Sequence, residues 1–553
     1  AWKILAAVLE QTSRVSHALN ANLKALEINP NDHEVYLCLG NNFNHLGNLA
    51  DAELNYKKAI SLKPDYVQAY YNFGLILHKM KRFDDSVSIF KQAIKLMPEG
   101  AQIYNALGLA LIELYQLEEA IKNLKLATKI NPNFSKAFFN LGIAFIESGN
   151  RVDALKNFKH AILLNPNYTR AYNSCGITLV ELGKHEEALE NFKQAITLDI
   201  NYTEAYMNLG NALKELGRFD ESFDSFKKAI DLRPDYAECH NNYGRALLLN
   251  NKFKEAFREM EWRLNLEELN FIPLNSDKPR WKENKNKKVF LMKEQGIGDF
   301  IMYSSMLSEL NTNVNQLIVE CDPRLISLLK RSFPNSIKFI SDRSKLNNSD
   351  YDSFIQIGSL PFYYRKNIND FFKSSKGWLQ ADEQKVQKIQ EQFSRKNFKN
   401  IIGISWRTTS LLNNSHLRNI ELEELLSPFK KSNFVFLNLQ YGEVSKEISN
   451  IKLKYGIEIL EMPNIDLYND IDGLAALITV CDSIITIDNL TSHLSGALGK
   501  NTKLLLPRIA DERWGLDPKN SYLYKNINLY RQSIFGDWNE PINKIKDDLE
   551  YLF

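Results

Sequence analysis

Cysteine is scarce in this chain, neither sign of charge dominates, and no apolar run is long; each shortage removes a class of function. The five cysteines among 553 residues, Cys38, Cys175, Cys239, Cys321 and Cys481, are scattered and contain no CxxC pair. That pattern argues against a disulfide framework or a zinc site and for reduced core thiols, so no metal is expected. Lys+Arg is 69 and Asp+Glu is 67, a formal charge of +2, which lacks the basic excess of a nucleic-acid binder. No stretch approaches the roughly 18 apolar residues that span a bilayer, so no transmembrane segment is expected. No basic-then-apolar leader opens the chain, and a cytoplasmic location follows as an expectation. The chain opens at Ala1, inside a repeat unit, which fits a missing upstream segment. Glycine and proline are sparse too, 24 and 16 residues, and their placement is therefore informative.

Gly40, Gly74, Gly108, Gly142, Gly176, Gly210 and Gly244 follow one another at intervals of 34 residues. Pro30, Pro64, Pro98, Pro132, Pro166 and Pro234 keep the same period, with Ile200 the one miss. Each unit reads as two helices. Tyr202 to Leu216 carries an apolar stripe at Tyr206, Leu209, Leu213 and Leu216, and Gly217 ends it. Phe219 to Leu232 carries Phe223, Phe226 and Ile230, and Pro234 forbids its continuation. Gly210 and Ala229 let the paired helices approach closely.

This pattern resembles the tetratricopeptide repeat. Seven units are clear from Asn31 onward, with a partial one before them. Such units bury their cores only by stacking, so the resemblance implies an α-solenoid superhelix with a concave groove. Asn72, Asn140, Asn208 and Asn242 sit two residues before the repeat glycine, and Asn105 and Asn173 three before it. In the related arrays of protein O-GlcNAc transferases an asparagine ladder holds an extended peptide, and an amide suits that task because it both donates and accepts. The plainer alternative is that these are solvated helix positions; Cys38, Ala106 and Ser174 interrupt the ladder.

The repeats run to about residue 265, and a polar stretch with Pro273 and Pro279, 266–287, reads as a linker. Beyond it short apolar runs alternate with helical patterns, the signature of α/β layers with parallel sheets. Strands are expected at 288–293, 316–320, 353–357, 401–406, 433–439, 457–461, 483–487 and 503–506, with a polar helical stretch at 366–400 joining two lobes, 288–385 and 386–553. Ligands bind such sheets at the carboxyl ends of strands, and four constellations lie there. Glu294-Gln295-Gly296-Ile297-Gly298-Asp299 opens a helix; its glycines permit close backbone approach, and Asp299 could equally be a first-turn acid. Ile404-Ser405-Trp406-Arg407, with His416 and Arg418 downstream, offers two arginines to a diphosphate or to surface ion pairs. Leu437-Asn438-Leu439-Gln440 is a further strand end. Asp488-Asn489-Leu490-Thr491-Ser492-His493 leaves a strand and starts a helix rich in hydroxyls and amides, where an anion would lie; a lone helical histidine is more often structural.

Together with Glu261-Trp262-Arg263, Pro279-Arg280-Trp281, Asp472, Leu505-Leu506-Pro507, Arg513-Trp514, Tyr530-Arg531-Gln532 and Gly536-Asp537-Trp538, these motifs resemble the bacterial tetratricopeptide-repeat glycosyltransferases whose C-terminal domain is akin to the heptosyltransferases. The resemblance implies two Rossmann-like lobes in the GT-B arrangement, the second binding the nucleotide sugar. It implies that Asp299 is the catalytic base of an inverting, metal-independent transfer. Gly296, Gly298, Arg407, Arg418, Gln440, Asp488, Asn489, Thr491, Ser492 and His493 would hold a nucleoside-diphosphate sugar. The acceptor would be a protein held along Asn72, Asn140, Asn208 and Asn242. No cofactor is expected; uridine diphosphate N-acetylglucosamine is the first donor to consider, on analogy of architecture. Asn489 and Leu490 stand where relatives carry a threonine and a small residue, which leaves the donor open. Two other functions fit the same residues: transfer to a lipid or polysaccharide precursor with the repeats as a docking module, and a non-catalytic scaffold.

Overall fold

The computed structural model describes residues 1–266, 276–283, 287–373, 377–396, 398–408, 415–508 and 510–553. The expected linker 266–287 falls partly outside them, at 267–275 and 284–286. The chain divides into two compact units, Ala1–Pro234 and Asp235–Phe553. Among the described residues no helix is long and apolar enough to cross a membrane.

The first unit is built of helix pairs from Trp2–Gln11 to Phe219–Leu232. From His33 onward every first helix has 13 residues and every second has 14. The strict length follows from one packing rule. Each repeat glycine lies beneath a large side chain sixteen positions later: Tyr56 over Gly40, Phe158 over Gly142, Phe192 over Gly176. A Cβ at Gly142 would stand 2.5 Å from the Phe158 ring, so only glycine admits that ring between the helices. Burying such a phenylalanine contributes about 1.5–3 kcal/mol. The alanines of the second helices, Ala59, Ala93, Ala127, Ala161, Ala195 and Ala229, are fully buried where the paired helices touch. Neighbouring repeats share one apolar cluster: Phe139 and Phe145 pack with Phe158, Leu179 and Phe192.

The last helix pair, Ala237–Leu249 and Phe253–Met260, keeps the repeat pattern yet groups with the second unit. Buried Phe253 explains why, with its ring 5.0 Å from that of Phe371 and 5.2 Å from that of Tyr522 in the α/β region. Its outer face is thus covered by the domain that follows.

That domain has two parallel sheets. The first, in the order β3-β2-β1-β4, contains β1 (Lys288–Met292), β2 (Gln316–Glu320), β3 (Ile337–Ile340) and β4 (Ser353–Gln356). The second, in the order β10-β9-β8-β5-β6-β7, contains β5 (Ile401–Ser405), β6 (Val435–Asn438), β7 (Ile459–Leu460), β8 (Ser483–Ile487), β9 (Thr502–Leu506) and β10 (Ile527–Arg531). In register, Val289 pairs with Leu317 and Ser353, and Ile404 pairs with Asn438 and Ile485. Strands β5 and β8 are buried along their whole length and largely aliphatic, as parallel strands covered on both faces are. The C-terminal helix Asn539–Leu552 covers one face of the second sheet, burying Ile542, Ile545 and Leu549 with Ile404 and Ile485.

The eight expected strands are all present; β3 and β10, both at sheet edges, were not expected. Among its described residues the polar stretch 366–400 holds a 3-10 turn, Ile368–Lys373, and a helix, Glu383–Arg395, that begins three residues before the expected lobe boundary at 386. The sheets turn direction beside β1 and β5. From each of these strands the chain builds outward on one side, then returns to add β4 or β8 on the other. Such switch points open a crevice at the carboxyl ends of the flanking strands.

Candidate functional site

Both switch points carry constellations singled out in the sequence. After β1 the chain turns through Gln295, held at φ +57°, into the helix Ile297–Ser304. A left-handed non-glycine residue is uncommon and marks a loop whose shape is imposed by its surroundings. Asp299 is the third residue of this helix and half-buried; its Oδ2 lies 3.4 Å from the Gly296 amide, the position of an N-terminal capping acid.

After β8, Asp488 and Asn489 precede the helix Leu490–Ala497. Asn489 Oδ1 accepts hydrogen bonds from the Thr491 amide at 3.0 Å, the Ser492 amide at 3.4 Å and the Thr486 hydroxyl at 3.1 Å. Its Nδ2 donates to Ser405 Oγ at 2.8 Å, which ties the end of β8 to the end of β5. Two of the first-turn amides expected to face a ligand, those of Thr491 and Ser492, are therefore taken by the side chain of Asn489, an N-cap.

The two constellations meet. Arg513, in the turn Glu512–Trp514 that follows β9, forms an ion pair with Asp299 and grips Asp511 through its Nε at 2.8 Å. Burial opposes the guanidinium's charge, but Asp511 and Asp299 outweigh it and hold its pKa well above the usual value. Asp511 is held well below the carboxylate range, Arg513 overcoming its burial. Arg418 Nη1 donates to Asp488 Oδ2 at 2.8 Å. Two cations and three carboxylates thus stand at facing strand ends.

His493 fills the space behind them. Its Nδ1 is 2.9 Å from the Tyr524 hydroxyl and its ring stacks on Trp514 at 5.4 Å. A Cβ on Gly298 would lie 2.9 Å from its Cδ2. Gly298 therefore makes room for the imidazole of the other lobe, whereas Gly296 has only Asp299 within contact range. Burial, reinforced by Arg513, lowers the His493 pKa to about 4. Its neutral form is favoured, and the ring packs among Gly298, Trp514 and Tyr524 with its Nε2 3.9 Å from Asp488 Oδ1. Trp378 completes the joint: it stacks on Tyr524 at 5.6 Å, donates from Nε1 to Ser304 Oγ at 2.9 Å, and its amide donates to the Ala497 carbonyl at 2.8 Å.

Arg407 and Gln440 stand one strand away. Gln440 Oε1 accepts from Ser405 Oγ, Trp406 N and Arg407 N at 3.1, 3.0 and 2.9 Å, and its Nε2 donates to the Tyr441 carbonyl. Its amide holds the end of β5 in shape. Arg407 pairs with Glu447 and donates to the Glu443 carbonyl at 2.7 Å, on the side of the strand away from Asp488. The His416 side chain lies outside the described residues. Among those residues no three His, Cys, Asp or Glu side chains gather as metal ligands would.

Sequence reasoning assigned no site role to Arg513, Asp511, Trp514 or Tyr524. Arg513-Trp514 had a signal, a short motif shared with the resembling family, but nothing in its spacing told that the arginine reaches Asp299.

Repeat-family models match residues 40–81, 67–99, 101–134, 178–217, 203–236 and 225–258. The N-terminal repeats are tetratricopeptide repeats. The chain is 26% identical over 310 residues to Protein FlbA of Caulobacter vibrioides, covering 50% of each, so it spans about half the length of that curated relative. Solved structures similar to it include MamA (25% identity, TM-score 0.28, 29% of this chain and 94% of that one). Another is YrrB, described as a TPR protein with an unusual peptide-binding site (26% identity, TM-score 0.29, 34% and 95%).

Within the tetratricopeptide repeats the asparagines pair between neighbouring units. Asn140 Nδ2 donates to Asn105 Oδ1 at 2.8 Å, Asn208 to Asn173 at 3.0 Å, and Asn72 to Asn41 at 2.8 Å. Each amide has further hydrogen-bonding capacity beyond that bond. Asn41 and Asn72, with Asn42, Asn44, Glu10 and Tyr56, line a cleft of about 360 Å³. Asn242 lies in the helix Ala237–Leu249, in the other compact unit.

Proposed function

We propose that the second unit is a glycosyltransferase of GT-B type that moves a sugar, with inversion, from a nucleoside-diphosphate donor to a protein acceptor held by the tetratricopeptide repeats. One observation carries this reading: Asp299, after β1 of one sheet, pairs with Arg513, in the turn after β9 of the other, where Gly298 also meets His493 of the helix that follows β8. A base and a cation so placed can serve the two ends of one displacement. Tetratricopeptide repeats commonly bind protein or peptide partners, and each asparagine amide offers more N–H and carbonyl capacity than its bond to the next unit uses.

In this mechanism the acceptor hydroxyl gives its proton to Asp299 while its oxygen attacks the anomeric carbon. The bond from that carbon to the diphosphate oxygen breaks, and the electron pair leaves with the diphosphate. Arg513 and Arg418 neutralise the leaving group, since guanidinium matches phosphate oxygens in a bidentate fork. Asp299 is a base only once Arg513 has turned from it to the diphosphate, so donor binding unmasks the base. The chemistry calls on side-chain cations rather than on the amides of Thr491 and Ser492, which Asn489 already caps.

The test is release of nucleoside diphosphate from a panel of sugar nucleotides, with uridine diphosphate N-acetylglucosamine first. Asp299→Asn is expected to slow release by about 10²–10⁴-fold while nucleotide binding persists. A scaffold without turnover is the alternative, favoured by the pairing of Asp299 and the capping by Asn489. Absence of release by the unaltered chain with every donor would select it.

A further inference from the structure

We infer that the last tetratricopeptide repeat is a working part of the catalytic module, and that Arg245 and Arg263 are positioning residues that set the two walls of the Asp299–Arg513 site. The inference rests on the transferase reading for its chemistry but on contacts of its own for its geometry. Helices Ala237–Leu249 and Phe253–Met260 and the turn Glu261–Asn265 belong to the same compact unit as both sheets.

From this one hairpin two arginines reach out in different directions. Arg263, 4% exposed, has all five N–H groups engaged. Nε and Nη2 form a fork on Glu294 at 2.7 and 2.9 Å, Nη2 also meets Ser359 Oγ at 2.9 Å, and Nη1 binds Glu261 at 2.7 Å and the Met260 carbonyl at 3.2 Å. Glu294 lies at the carboxyl end of β1, two residues before Gly296, and its Oε2 also accepts from the Gly358 amide at 3.1 Å. A Cβ at Gly358 would stand 2.7 Å from that oxygen, so the carboxylate is enclosed on this side too. Arg263 therefore fixes the loop that carries Asp299.

Arg245 reaches the other lobe. Its Nη2 donates to Glu512 Oε2 at 2.8 Å, and Glu512 is the residue before Arg513, in the same short turn. Surface ion pairs are worth little, but Glu512 is 8% exposed, and burial makes its partner matter. The hairpin so holds Asp299 from one side and Arg513 from the other. Misplacing a catalytic group by about 1 Å can cost on the order of a hundredfold in rate.

Amide hydrogen exchange on the full chain tests this without any ligand. Arg245→Met is expected to speed exchange at 511–515 by about tenfold or more while 293–298 and the core strands keep their rates, and Arg245→Lys is expected to restore them. Arg263→Lys, which keeps the charge and loses the fork, is expected to speed 293–298 instead. With uridine diphosphate N-acetylglucosamine as probe, Arg245→Met should lower kcat between about ten- and a hundredfold with KM little changed. Unchanged exchange at 511–515, or uniformly faster exchange across 235–553, would overturn the inference. If the unaltered chain releases no nucleotide, the transferase reading falls, and the segment-specific exchange still decides whether the hairpin sets both walls.

Discussion

Gly298 and His493 show how a single pair of residues joins the two lobes. With 2.9 Å between a Cβ at 298 and the imidazole, Gly298→Ala must push the ring from its place between Trp514 and Tyr524. The expected cost is about 1–3 kcal/mol in denaturant unfolding, with a loss of nucleotide release from a displaced Asp299. The imidazole also gives the unit a pH signature. Its folded pKa, about 4, lies below the ordinary 6.5, so the unfolded state binds the proton more readily. Its contribution is complete above pH 6.5 and is lost as pH falls from there towards 4, a decline on the order of 3 kcal/mol. Asp511 is likewise depressed, and its contribution disappears only below the ordinary carboxylate pKa of 3.8, so the two windows are separate. Denaturation midpoints at successive pH values should fall between 6.5 and 4 in the natural chain and fall less in His493→Gln.

These residue roles were only partly legible in the sequence. Asp299, Asp488, Asn489 and His493 could be named because each follows an apolar run that reads as a strand. The partner of Asp299 could not. Arg513 lies 214 positions from Asp299, and Asp-Glu-Arg-Trp at 511–514 has no periodicity to set it apart from any charged turn. The capping of the Thr491 and Ser492 amides by Asn489 was hidden for a local reason: an asparagine before a helix both marks the helix start and caps it, and sequence shows the first without the second.

At the scale of elements, the repeat was legible down to its helix pairs and their small residues. A 34-residue period marks the glycine and the alanine as points of close approach; that the glycine lies under the large side chain sixteen positions later is seen only in the structure. Gly142→Ala is therefore expected to destabilise the first unit by about 1–3 kcal/mol, while replacing the exposed glycine at the helix end, Gly149→Asn, should cost well under that. Thermal unfolding followed by circular dichroism would distinguish them. Strands β3 and β10 escaped notice because polar residues interrupt them, Lys338 in one and Asn528 and Arg531 in the other, whereas the edge strands β4 and β7 were expected. Apolar runs reveal strands, and a strand broken by charged or amide side chains is concealed.

Over the whole molecule, repeat period and compact unit disagree on where one part stops. The period runs on to about 265, yet the hairpin Ala237–Asn265 is built into the α/β unit through Phe253, Arg245 and Arg263. Periodicity reports the ancestry of a segment and is silent on which neighbour covers its outer face. A chain starting at Asp235 is expected to fold and to release nucleotide while losing protein-directed transfer. One starting at 266 leaves Glu294 buried without its cation, a loss of about 3–5 kcal/mol from that pair, and should not fold stably. The most direct test of the central claim is a crystal structure of the full chain with uridine diphosphate or guanosine diphosphate. The account predicts the diphosphate at the carboxyl ends of β5 and β8, bonded to Arg513 and Arg418, with Asp299 released. A diphosphate bound elsewhere, or an Asp299–Arg513 pair left intact beside it, would contradict it.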